Sequence, residues 1–176
     1  MGPRETCDHH AVGTDLHAGP TWSAIAARLA PARSYWLGTS NPDGSPHATP
    51  VWGVVLDDCL YIYSERATVK ARNLALDSRA VIHLESAEEV VIVHGHFDDI
   101  GLPGDTPGVV EALSSKYDAA EDARYLPSHD ESFDVLYLLR PEKALLWSLS
   151  NYEHTQQRWA AELNPKLDLM GISNSD

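Results

Sequence analysis

The chain has 176 residues, 43% of them hydrophobic, enough for one domain with a real core and too many for wholesale disorder. Thirteen lysines and arginines against 26 aspartates and glutamates leave a net charge of −13, with no basic stripe to offset it, so nucleic acid is not an expected partner. No apolar run approaches the roughly 18 residues of a membrane span, so no membrane association is expected.

Residues 1–20 carry Gly, Pro, His and acidic residues without periodicity and read as a loose arm. They lack the apolar core of a signal peptide, and Gly2 followed by Pro3 makes no acylation signal. Cys7 and Cys59 imply no disulfide framework, and a reducing, cytoplasmic compartment is expected. A single domain over 21–163 follows, closed by a polar tail at 164–176.

In "TWSAIAARLAPA" (21–32), Trp22, Ile25, Ala26 and Leu29 fall at helical spacing, Thr21 is a fitting N-cap and Pro31 closes the helix. The period then changes. "SYWLGTS" (34–40) predicts a strand and "NPDG" (41–44) a turn. "SPHATPVWGVVLDD" (45–58) resumes as a strand, and "CLYIYS" (59–64) returns, making an antiparallel meander. After a helical "ATVKARNLALD" come strands "AVIHLES" (80–86) and "VVIVHGHFDDI" (90–100). "TPGVVEALSSKYDAA" (106–120) predicts a helix with Thr106 as cap and Pro107 in its first turn. Strands "FDVLYLL" (133–139) and "KALLWSL" (143–149) and a further segment near "TQQRW" (155–159) end the domain. Alternating βα units are absent, so a closed or partly open antiparallel barrel is expected rather than a doubly wound parallel sheet.

"SERATVKARNLALD" (64–77) concentrates Arg66, Lys70 and Arg72 where a strand hands over to a helix, in an otherwise acidic protein. A helix beginning near Thr68 directs unpaired N–H groups and about half a positive charge out of its first turn. With Lys70 inside that turn and Arg66 just before it, the stretch reads as an anion site, with phosphate as guest. The alternative is a solvated basic face on a short helix.

In order and spacing, "YWLGTSNPDGSPHATPVWGVVLDDCLYIYS", "ATVKARNL", "AVIHLE", "LLRPEKALLWSL" and "TQQRW" resemble the pyridoxamine 5′-phosphate oxidase-like split-barrel family of flavin and deazaflavin proteins. The resemblance runs over residues 35–159. It implies a mainly β fold, a six-stranded antiparallel split barrel with a few helices, assembled as a homodimer with two equivalent cofactor sites at the interface. It places Thr49, Pro50, Val51 and Trp52 along the cofactor ring, and Ser64, Thr68 and Lys70 on the phosphate. Arg66 and Asn73 are further candidates there, while Trp147 and Arg158 approach from the other subunit. Trp52 also reads simply as a half-buried barrel residue.

The Arg-rich C-terminal motif of the pyridoxamine phosphate oxidases proper is missing, which speaks against vitamin B6 oxidation. "KARNL" and "TQQRW" look more like the branch that uses the deazaflavin coenzyme F420, with FMN the alternative cofactor. The activity implied is hydride transfer between the deazaflavin and a small enone, quinone or imine-like substrate. A non-catalytic carrier of a flavin or tetrapyrrole on the same barrel is the other class. No residue carries a catalytic signature; His47, Tyr63 and solvent are equal candidates to supply a proton. His94 and His96, two apart on a predicted strand, share a face with His83 nearby, yet no spacing completes a metal site. "SHDES" (128–132) holds Ser, His and Asp in sequence but reads as a loop.

Overall fold

A computed structural model describes residues 19–161. The expected arm, with Cys7, falls almost wholly outside the described residues, as does the tail at 164–176. Helix α1 (Trp22–Leu29) opens the domain, and Thr21 Oγ1 accepts from the Ala24 N–H as its cap. Strands β1 (Tyr35–Ser40), β2 (Pro46–Val51), β3 (Gly53–Leu56) and β4 (Cys59–Ser64) lead to helix α2 (Val69–Leu76). Then come β5 (Arg79–His83), β6 (Glu89–Asp99), α3 (Val109–Lys116), β7 (Val135–Ser148), α4 (Tyr152–Thr155) and β8 (Gln157–Ala160). No helix among the described residues is long and apolar enough to cross a membrane.

All strand pairs are antiparallel, in the order β2-β1-β5-β6-β7-β4-β3, with β8 added against β7. The two ends of that order, β2 and β3, are halves of the single strand expected over 45–58, broken at Trp52. A sheet whose two edges are joined by one residue has to curl back on itself, which produces the barrel. Treating β2 and β3 as one bent strand leaves the six expected strands plus the short β8.

The break has a local cause. A Cβ on Gly53 would lie 2.2 Å from the Tyr61 carbonyl oxygen, so only glycine lets the chain press against β4 there. The bend is held from outside by α3. Tyr117 accepts from the Gly53 N–H at 3.1 Å and donates to the Arg33 carbonyl at 2.8 Å, while Lys116 Nζ donates to the Gly53 carbonyl at 2.8 Å. Burial holds the Lys116 ammonium down to about 8 and pushes the Tyr117 phenol up to about 12. Arg33 in turn reaches Asp122 at 2.7 Å.

Strand β4 is buried along its whole length because it has a core on each face. Leu60 and Ile62 join Ile25, Leu29, Leu37, Val93 and Phe97 inside the barrel. Tyr61 and Tyr63 join Val109, Leu113, Leu136 and Leu138 under α3. That double burial explains the unbroken apolar run "CLYIYS". The turns obey their residue types: Gly44 has φ +82°, and Asp57 and Asp58, both at positive φ, form the two-residue connection between β3 and β4.

Two expectations are corrected. The strands expected over 133–139 and 143–149 are one, β7, which runs through Pro141. Pro141 lies opposite Gly95 at a shift in register, where a Cβ on Gly95 would come within 2.1 Å of the Arg140 carbonyl oxygen. Glycine and the bulge together absorb the missing proline N–H. Helix α3 begins later than expected. Its N-cap is Gly108 at φ +84°, without a side-chain cap, because a turn closed by the Val109 N–H donating to the Thr106 carbonyl comes first.

Gly53→Ala is expected to destabilise the domain by about 1–3 kcal/mol, the range for forcing atoms into a filled site. Denaturant unfolding checks this; an unchanged midpoint would mean that the bend does not depend on glycine.

Candidate functional site

The end of β4, the bend at Trp52 and the start of α2 meet around a cavity of about 320 Å³. Ser64, the last residue of β4, is 3% exposed, and its hydroxyl lies 3.0 Å from that of Thr68. Thr68 donates to the Glu65 carbonyl at 2.8 Å and accepts from the Ala71 N–H, so it caps α2 as its residue type predicts. This leaves the Val69 and Lys70 N–H groups at the open end of the helix without a backbone partner among the described residues.

Of the three cations that drew attention in sequence, each has a different fate. Arg66 turns outward and is held by both oxygens of Asp99. Arg72 donates to the Ala67 carbonyl and is exposed. Lys70 lines the cavity, the one cation among the described residues that do so, and its ammonium makes no hydrogen bond or ion pair to a described group. Partial burial lowers its pKa below the usual lysine value, opposed by the nearby Glu65. An unpaired, partly desolvated ammonium beside open helix N–H groups favours an anionic guest.

Of the expected ring contacts, Pro50, Val51 and Trp52 line the same cavity. Thr49 is half-buried on β2 opposite Leu37 and is not among the lining residues. Trp52 stacks on Tyr117 with ring centroids 4.3 Å apart and 6° between planes, and meets Tyr125 edge-on at 5.8 Å. It is therefore both a packed barrel residue and a rigid wall. Asn73 points elsewhere: it is 2% exposed, and its amide donates to Thr39 Oγ1 at 3.0 Å and Asn41 Oδ1 at 3.1 Å, tying α2 to β1 and the first turn.

Trp147 and Arg158 lie at the far end of β7. Val135 pairs with Ser64 beside the cavity. Trp147 is 12 residues further along the same strand, up to about 40 Å away at roughly 3.3 Å per residue. Arg158 pairs with Leu145 on β8, exposed. Neither reaches this cavity within one chain.

Of the remaining walls, Tyr63 is one of the expected proton-donor candidates, while Glu65, Tyr125 and Phe133 were not foreseen. Tyr125 and Phe133 come from the connection between α3 and β7, and Tyr63 from β4. The Tyr63 hydroxyl donates to the Tyr125 carbonyl at 2.7 Å, and its ring meets Phe133 edge-on at 5.1 Å. Burial raises the Tyr63 pKa above the ordinary phenol value. His47 is 3.3 Å from Thr39 Oγ1 and is not among the lining residues. Among the described residues no group of three His, Cys, Asp or Glu side chains could hold a metal.

The family model described as pyridoxamine 5′-phosphate oxidase matches residues 21–148. No curated protein matches the sequence. Solved structures share the fold at low identity. A heme binding protein from Mycobacterium smegmatis is 22% identical at a TM-score of 0.59, covering 81% of this chain and 59% of its own. The conserved hypothetical protein Rv2991 from Mycobacterium tuberculosis is 20% identical at 0.58, covering 94% and 98%. A structure described as an F420 reductase is 21% identical at 0.53, covering 66% and 93%. The match over most of the chain, on a sheet closed through Trp52, shows that the protein belongs to the pyridoxamine 5′-phosphate oxidase family.

Proposed function

We propose that this protein is an oxidoreductase that holds coenzyme F420 by its phosphate at Lys70 and transfers a hydride between the deazaflavin and a small enone, quinone or imine-like substrate. FMN is the second choice of cofactor. The observation that carries this reading is the unpaired Lys70 ammonium, facing a cavity between a capped helix start and the strand bend at Trp52. The F420 reductase among the structural neighbours supports the choice of cofactor.

The residues fit such a group. Lys70 and the open N–H groups of α2 would donate to a phosphate, with Ser64 and Thr68 lining its seat; Pro50, Val51 and Trp52 offer a flat wall with strand backbone for the ring edge. Bound deazaflavin would supply a two-electron hydride donor, which the protein orients. Among the described residues no committed proton donor lines the cavity, since the Tyr63 hydroxyl is already donating to Tyr125. Solvent is the proton source in this scheme.

A volume of about 320 Å³ is at the small end of ligand sites, about 300–1,000 Å³. It takes the phosphate and part of the ring. A second copy, bringing Trp147 and Arg158, completes the site in a homodimer. Among the described residues no His, Met or Cys lines the cavity, so a tetrapyrrole would have only Tyr63 or Tyr125 as an iron ligand.

Lys70→Ala is expected to weaken F420 binding by about 1.5–3 kcal/mol, the worth of a charged hydrogen bond, with the melt of the cofactor-free protein unchanged. Fluorescence titration reads this, and an unaltered Kd would refute the assignment. Oxidation of reduced F420 by an enone or quinone separates an enzyme from a carrier. The protein is expected to sediment as a dimer, and Arg158→Ala to weaken cofactor binding without dissociating it. A monomer that binds F420 fully would contradict the shared site.

A further inference from the structure

A second cleft, of about 800 Å³, lies on the opposite side of α2, between that helix and β6–β7. Its apolar lining includes Leu74, Phe97 and Ile100, and Ser78, just after α2, is part of its wall. Ser78 Oγ is 3.0 Å from His96 Nδ1, and His96 Nε2 is 2.9 Å from Glu142 Oε1. These three residues come from the connection between α2 and β5, from β6 and from β7, separated by 18 and 46 positions. The bulge in the β6–β7 ladder brings them together. His94 pairs with Lys143 and Gly95 with Pro141, so Glu142 is the extra residue, and a bulged residue is turned out of the regular alternation. Here it is turned onto the imidazole of His96.

The proton positions follow from the partners. An ionised carboxylate only accepts, so Nε2 carries the hydrogen that goes to Glu142. In the neutral imidazole Nδ1 then holds a lone pair, and the Ser78 hydroxyl donates to it. That is the arrangement of an activated serine: a nucleophile bonded to a base, and the base oriented by a carboxylate. The ring nitrogens are used in the reverse order from the serine proteases, which leaves the chemical roles intact. Arg140, directly opposite His96 in the ladder and ion-paired with Asp98 at 2.8 Å, brings a guanidinium to the same cleft.

We propose that Ser78, His96 and Glu142 form a second, acyl-transfer site that hydrolyses small carboxylic esters with an apolar acyl group. Ser78 Oγ attacks the ester carbonyl carbon while its proton passes to His96 Nδ1. The alkoxide leaves with that proton, giving an acyl-serine. Water, deprotonated by the same nitrogen, releases the carboxylic acid and restores Ser78. The apolar lining receives the acyl chain, and Arg140 faces the charge that develops on the carbonyl oxygen. This site does not depend on the cofactor reading, because Ser78, His96 and Glu142 do not line the Lys70 cavity.

Treatment of the full chain with a fluorophosphonate, followed by peptide mass spectrometry, tests it without any substitution: the adduct is expected on Ser78. Hydrolysis of p-nitrophenyl butyrate is expected to fall about a hundredfold in His96→Gln, the usual worth of general-base assistance, and at least as far in Ser78→Ala, which removes the nucleophile. Labelling of Ser78 is expected to slow in Glu142→Gln as well, with thermal melts unchanged. A fluorophosphonate adduct absent from Ser78, or equal ester hydrolysis by the protein and Ser78→Ala, would overturn the proposal.

Discussion

The fold depends on one close contact. Gly53 lies so near the Tyr61 carbonyl that a side chain is excluded, and there a single segment passes from one edge of the sheet to the other. Everything that shapes the cavity beside Lys70 follows from that passage. It turns Pro50–Trp52 toward the end of β4, fixes Trp52 against Tyr117, and leaves the start of α2 as the facing wall. The clamp of Tyr117, Lys116 and the Arg33 carbonyl around the same point is polar and partly buried, so the bend has one favoured geometry. Rigidity at the wall of the cavity is thereby a property of the barrel closure itself.

Much of this was legible in sequence where local chemistry decides structure. Thr21 and Thr68 cap the helices they precede, "NPDG" turns, and "CLYIYS" is the returning antiparallel strand. Local signals fail where a distant residue decides. Proline 141 ordinarily ends a strand, but Gly95, far away in sequence, accommodates it. Asn73 looks placed to reach a ligand beside Lys70, but Thr39 and Asn41 satisfy its amide. Tyr125 and Phe133 carry no signal at all, because a loop becomes a wall only when α3 has docked.

The cluster of cations in an acidic chain shows the same division. Arg66 is neutralised by Asp99, 33 residues away, and this pairing turns it away from Lys70 while anchoring the loop before α2 to β6. Lys70 is left, surrounded by less water and opposed only by Glu65. A chain of net charge −13 repels polyanions at long range, so any hold of Lys70 on a phosphate is exerted at short range, inside the cavity. Helix α2 thus separates two chemically different clefts: one with a free cation and aromatic walls, the other with paired charges and a serine against an imidazole.

The most direct measurement compares F420 with its own deazaflavin chromophore lacking the phosphate, on the protein and on Lys70→Ala. If Lys70 holds the phosphate, F420 binds the unmodified protein at least about tenfold more tightly than the chromophore, a difference of about 1.4 kcal/mol, and the substitution removes most of that gap. An equal gap in both proteins, or none in either, would show that the lysine beside Trp52 has no part in holding the cofactor.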